Sequence, residues 1–176
     1  MEKWVSRTLA VAGVAVAAAC GSSTGVTTTT QSSSEDFGTS MTGNQEVPTV
    51  ATSATGTASF VHEGDSVRYT INITGLGGIT DVKLYSGAAG ANGTARVTLY
   101  HADTPSATTN GNLKTGVFKG ADVTGGLTLT DVLSQMRNGG QAYVNVLTTA
   151  NTSGTIRGEI GSANPDDPFF VLRRGN

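Results

Sequence analysis

Between residues 54 and 73 apolar and polar positions alternate, with one break at His62, Glu63, Gly64 and Asp65. Ala58, Phe60 and Val61 lead into the break, and Val67, Tyr69, Ile71 and Ile73 lead out of it at period two, with Arg68, Thr70 and Asn72 between them. Successive side chains of a strand face opposite ways, so this pattern predicts a β-hairpin with one buried and one wet face. Shorter runs follow at 80–85, 95–99 and 116–119, divided by turn-rich stretches at 86–93 and 110–112. Two strands at 142–148 and 155–160, joined by Asn151, Thr152, Ser153 and Gly154, close the pattern as a second hairpin. One segment has a different period. Leu129, Val132, Leu133 and Met136 fall at i, i+3, i+4 and i+7, which is one face of a helix. Thr128 and Asp131 form a capping pair at its start, and Gly139 is placed to end it with positive φ. Many short strands with one short helix predict an all-β fold, a Greek-key-like β-sandwich or barrel.

The first forty residues change the picture from fold to address. Lys3 and Arg7 precede an apolar run at 9–19, which ends in Ala17, Ala18 and Ala19 directly before Cys20. A charged start, a short apolar core and small residues at its end are the order of an export signal, expected at residues 1–19. The run is shorter than the roughly 20 apolar residues a membrane-spanning helix needs. Small residues before a cysteine resemble the lipobox of bacterial lipoproteins, although Ala17 stands where that family usually has Leu. The resemblance implies acylation of Cys20, which would become the new N-terminus. Ordinary cleavage after Ala19 is the alternative and would leave an exported protein with a lone thiol. Cys20 is the only cysteine of the 176 residues, so no disulfide framework holds the fold. Residues 21–40 are mostly Ser and Thr, with Val26 and Phe37 as their sizeable apolar groups, and read as a tether over 20–40. The folded domain is expected at 41–161. A tail follows at 162–176, in which Phe169, Phe170, Val171 and Leu172 would need cover.

Charge excludes one class of partner. The net charge is −2, and the one adjacent basic pair, Arg173 and Arg174, lies in the tail. Nucleic acid binding calls for clustered Lys and Arg, so no nucleic acid partner is expected. The expected partners are the membrane, through the lipid anchor, and an envelope protein or polysaccharide.

Three stretches taken together resemble a known family. Gly43-Asn-Gln-Glu-Val-Pro48 with Ala54-Thr-Gly-Thr-Ala-Ser-Phe60 comes first. Gly87-Ala-Ala-Gly-Ala-Asn-Gly93 comes second, and Tyr143-Val-Asn-Val146 with Ile156-Arg-Gly-Glu-Ile160 third. Their order and spacing are similar to those of the CHRD (chordin-type) domain. The resemblance implies a superoxide-dismutase-like β-sandwich, an extracellular setting and no established enzymatic activity. It also implies a His-x-His pair before the glycine-rich turn and another histidine in the Tyr-Val-Asn-Val strand. This chain has Lys83, Leu84 and Tyr85 in the first place and Leu147 in the second. Without those imidazoles neither a metal nor another cofactor is expected.

The search for catalytic chemistry yields little. His62 and His101 both stand next to predicted turns and read as solvated groups. There is no Gly-x-Ser-x-Gly elbow and no phosphate loop, and Gly75-Leu-Gly-Gly78 lacks the βαβ context of a dinucleotide fingerprint. Asp166 and Asp167 could touch a calcium ion, but adjacent carboxylates are expected to point apart rather than share one. No catalytic residue is therefore expected. Glu46 and Arg157 stand out because both fall in strand-like motifs where an unpaired charge is costly. They are expected to be satisfied inside the sandwich, by each other or by backbone groups, in a structural role. The leading reading is a lipid-anchored, non-enzymatic envelope protein, sorted to the outer membrane if the host has two. A metal-binding redox protein is the rival. A secreted, soluble polysaccharide- or protein-binding module acting through the glycine-rich turn and the Lys83 and Tyr85 edge is the third, although aromatics make up only 6% of the chain.

Overall fold

The alternating segment at 54–73 forms the expected hairpin. In the computed structural model, which describes residues 34–163, β2 (Thr55–Glu63) and β3 (Ser66–Leu76) pair around Gly64 and Asp65. Ala58, Phe60, Val67, Tyr69, Ile71 and Ile73 are buried, while Arg68 and Asn72 stay exposed. The export segment, Cys20 and the tail beyond residue 163 lie outside the described residues.

The remaining elements are β1 (Glu35–Thr42), β4 (Ile79–Ser86), β5 (Thr94–His101), β6 (Thr109–Lys119), α1 (Leu129–Arg137), β7 (Ala142–Thr148), β8 (Ile156–Glu159) and β9 (Gly161–Ser162). All strand pairs are antiparallel, in the order β5-β4-β7-β8-β1-β2-β3-β6, with β9 beside β1. The two ends of this path, β5 and β6, come into contact, so the sheet curls into a nearly closed barrel. Around it β4, β5 and β6 are neighbours and β3 lies beside β6, which is a Greek key. The fold is all-β with one short helix, as the pattern predicts.

Inward-facing Phe37, Phe60, Ile71, Leu84, Val97, Val144 and Ile156 form a single core, to which α1 adds Val132, Leu133 and Met136. Each such side chain contributes roughly 1.5–3 kcal/mol on burial. Tyr69 fixes the seam of the barrel. Its ring lies between Phe60 and Phe118, and its hydroxyl donates to the Leu99 carbonyl on β5. Glycine at 116 makes room for it, since a Cβ there would come within 2.4 Å of the Tyr69 hydroxyl. The helix starts with the reciprocal Thr128 and Asp131 capping box, and Gly139 follows it at φ 53°.

Two boundaries differ from the sequence reading. The first strand begins at Glu35, so residues 35–40, read from composition as tether, belong to the sheet. Phe37 and Met41 point inward against Phe60 and Gly56, and this alternation is hidden by the Ser and Thr around them. Likewise Asn110, Gly111 and Asn112, read as a turn, lie inside β6. A bulge skips Leu113 between the partners of Ile71 and Asn72, and Gly111 adopts φ 121°, so turn-forming residues are accommodated within a strand. The sheet also runs past residue 161, because Ser162 pairs with Phe37 and the Ala163 N–H donates to the Asp36 carbonyl.

Candidate functional site

Outward-facing residues of β4, β7 and β8 share one face. Val82, Leu84, Val144, Val146 and Ile156 point into the core, so their neighbours Asp81, Lys83, Tyr85, Tyr143, Asn145, Leu147 and Arg157 point the other way. Register places Tyr85 opposite Tyr143, Lys83 opposite Asn145 and Asp81 opposite Leu147. Asn145 in turn faces Arg157, and Tyr143 faces Glu159. Positions 83, 85 and 147, where the resemblance implies histidines, are thus close together on adjacent strands. They carry different chemistry. The Lys83 Nζ lies 3.3 Å from Asp81 Oδ1, and the Tyr85 ring stacks on Tyr143 with centroids 5.0 Å apart and planes at 7°. An ion pair and a ring stack fill the patch.

Glu46 and Arg157 are both inside, at 4% and 0% exposure. Their direct partners are other groups than each other. Arg157 Nη2 donates to Glu159 Oε1 at 2.6 Å, and its guanidinium carbon sits 3.4 Å from the centre of the Tyr143 ring. Glu46 stands just after the 3₁₀ turn Gly43–Gln45 rather than in a strand, and its carboxylate accepts a hydrogen bond from Asn145 Nδ2 at 3.4 Å. Burial pushes the Glu46 carboxyl up to about 7, against the opposing pull of the Arg157 charge and the Asn145 hydrogen bond. Glu46 Oε1, Asn145 Oδ1, Arg157 Nε and Nη1 and Glu159 Oε2 have no hydrogen-bond partner among the described residues. Charge and ring contacts, more than saturated hydrogen bonding, therefore bind the cluster together.

Three loops converge on this cluster. Residues 43–53 fold back on themselves through the Val50 N–H, which donates to the Gly43 carbonyl at 2.9 Å. The glycine-rich loop 87–93 reaches them where Asn92 Nδ2 donates to the Val47 carbonyl at 2.8 Å, and its Gly93 N–H donates to the Tyr143 hydroxyl at 2.8 Å. Asn145 Nδ2 also donates to Ser153 O at 3.0 Å, in the loop between β7 and β8. Side chains would not fit at these approaches. A Cβ on Gly154 would lie 2.3 Å from Asn145 Oδ1, and one on Gly93 would lie 1.9 Å from the Ser86 carbonyl oxygen. All three motif stretches singled out in the sequence therefore meet around Tyr143, Asn145 and Arg157.

The two histidines lie at strand ends. His101 ends β5 with Nδ1 2.9 Å from Asp81 Oδ1, and His62 lies near the end of β2 with Nδ1 3.4 Å from Glu35. Burial works against the Asp81 carboxylate, but hydrogen bonds from His101 and Lys83 outweigh it and hold its pKa below the ordinary value. Among the described residues no group of three or more His, Cys, Asp or Glu is arranged to hold a metal ion. Asp166 and Asp167 lie outside the described residues. The sequence reading did not single out Asp81, Tyr143, Asn145 or Glu159 as site residues. The available signal was period two, which puts Asp81 on the face of Lys83 and Glu159 on that of Arg157.

A family model described as the CHRD domain matches residues 37–160. No curated protein matches the chain, and no solved structure does.

Proposed function

The chain belongs to the CHRD domain family, and from that premise we propose that it is a lipid-anchored, non-enzymatic module on the extracytoplasmic side of a bacterial membrane, acting in binding or envelope structure. The observation that carries the non-enzymatic part is the cluster itself. Glu46 and Arg157 are buried and Glu159 is partly buried, and they engage in ring, ion-pair and amide contacts with Tyr143 and Asn145, which with Asn92 tie loops 43–53, 87–93 and 149–155 to the sheet. A general acid or base needs to reach a substrate proton, and groups enclosed in this way serve to position the backbone. The anchor rests on the sequence: Lys3 and Arg7, the apolar run at 9–19 and the small residues before Cys20. Gly21 and Ser22 follow the cysteine without an adjacent Asp, in keeping with sorting to the outer membrane in a host with two.

Growth with labelled palmitate tests the anchor. Label is expected in the wild-type protein and absent from Cys20→Ala, which is expected to leave the membrane fraction. A wild-type protein that takes up no label, or a variant that fractionates unchanged, would overturn the anchor. Metal analysis of the purified protein tests the rest, since stoichiometric copper or zinc would restore the redox reading.

A further inference from the structure

The face opposite the core on β1, β2, β3 and β6 is of another kind. Register aligns Thr42, Thr55 and Thr74 in one cross-strand row and Ser40, Thr57 and Asn72 in the next. The edge strand β6 extends these rows with Asn110 and Asn112. No Asp, Glu, Lys or Arg stands in either row across β1, β2, β3 and β6; the first row meets the buried Arg157 on β8 beyond Thr42, and the first charges along β3 come at Arg68, beyond Thr70. Threonine on the wet face of a strand is ordinary on propensity grounds. This face is also concave. A groove of about 310 Å³ runs over it, lined by Ser40, Thr42, Thr55, Thr57, Asn72 and Thr74 together with the backbone at Met41 and Gly56. The volume is at the lower end of the range of ligand pockets, about 300–1,000 Å³.

We propose that this groove binds a segment of a neutral polysaccharide. The polar side chains lining it are all hydroxyls and one amide, set among apolar surface, and both types donate and accept hydrogen bonds, as the hydroxyls of a glycan do. Several of these groups are exposed with capacity to spare. Asn72 Nδ2 reaches Thr57 Oγ1 at 3.5 Å, and the Gln45 amide at the rim donates to the Ser40 carbonyl and Thr42 Oγ1. A neutral lining offers no charge to hold a phosphate or an acidic chain. The groove contains no aromatic ring, so the ligand is held without stacking. Hydrogen bonds exchanged with water contribute little each, and a polymer that engages many sites is favoured over a monosaccharide. The inference rests on the reading of this chain as a binding module and shifts the contact surface from the Lys83 and Tyr85 edge on β4 to the outer face of β1, β2 and β3, which begins beside the buried cluster where Thr42 pairs with Arg157. It does not involve the anchor.

Affinity electrophoresis of the purified full-length protein in native gels containing dextran, galactomannan or hydroxyethyl cellulose tests it, with alginate as the acidic comparison. Retardation is expected in at least one neutral gel. It should weaken at least about fivefold in Thr57→Val and in Thr74→Val, which lose a hydroxyl without losing strand propensity, and persist in Lys83→Ala. No retardation by any neutral polymer overturns the proposal, as does retardation by alginate alone. Loss of binding in Lys83→Ala with none in the Thr variants also overturns it, and returns the contact to the Lys83 and Tyr85 edge. The outcome is separate from that of the anchor: an acylated protein that ignores every polymer sinks this inference alone, and a binding protein without acyl groups sinks the anchor alone.

Discussion

Glu46 shows how one side chain couples the fold to pH. Its carboxyl titrates at about 7 in the fold against 4.5 as an ordinary side chain, because burial disfavours the charged form. The folded state therefore keeps a proton that the unfolded chain has shed. The stabilisation linked to that proton is complete below the unfolded value and is lost as pH rises through the folded one. In urea unfolding, stability should fall by roughly 2–3 kcal/mol between about pH 5 and about pH 8, and Glu46→Gln should remove that slope. A variant that keeps the wild-type slope contradicts this reading. Glu35 and Asp81 act in the other direction. Arg137 hydrogen-bonded to Glu35, and His101 with Lys83 beside Asp81, hold both carboxyls low, so their contribution is lost only as pH falls through those lowered values. At Arg157 the expected effect is larger. Arg157→Met should cost about 3–5 kcal/mol in the same assay, because Glu159 would be left partly buried without its cation. The need for cover was legible at Arg157 from its place in an apolar strand, whereas Glu46 lies just after a 3₁₀ turn and is buried there by the loops around it. The partners of both were not legible, since Tyr143, Asn145 and Glu159 are set by a cross-strand register that one-dimensional pattern does not contain.

At the scale of elements, the period-two and period-3.6 signals located the hairpins and the helix because each of those elements buries one face. The reading was poorest where a strand buries few residues. In β1 only Phe37 and Met41 are large inward side chains, and the Ser and Thr between them match a tether equally well. In β6 the bulge at Leu113 breaks the alternation on which recognition depends. The glycine-rich loop was recognised by composition, and its role follows from geometry. Gly93 lies where a Cβ would run into the Ser86 carbonyl and the Gly87 backbone, and its N–H donates to the Tyr143 hydroxyl. Gly93→Ala should therefore lower the melting temperature and raise amide exchange in the 87–93 loop, whereas Gly90→Ala meets no neighbour and strains only its own positive φ. Equal exchange in the Gly93 variant and the wild type would show that the loop is not held by this close approach.

For the whole molecule, the family match and the barrel describe the domain, while the proposed anchor rests on the sequence of the first twenty residues. The barrel divides its outer surface by chemistry. On β4, β7 and β8 a charged cluster covered by loops locks three of them, and on the adjoining β1, β2 and β3 lies an open face of hydroxyls and amides. A division of this kind suits a module that is held in place and makes contacts, and the central claim is that an acyl chain on Cys20 does the holding. Two acyl signals are what stable membrane attachment requires, and a lipoprotein-type N-terminus supplies more than one chain at a single residue. The most direct measurement is mass spectrometry of the N-terminal peptide from the membrane-derived protein. The expected peptide begins at Cys20 and carries on its sulfur a thioether-linked glycerol esterified with fatty acyl chains. A peptide that begins at Cys20 with a free thiol, or a chain that still starts at Met1, would contradict it.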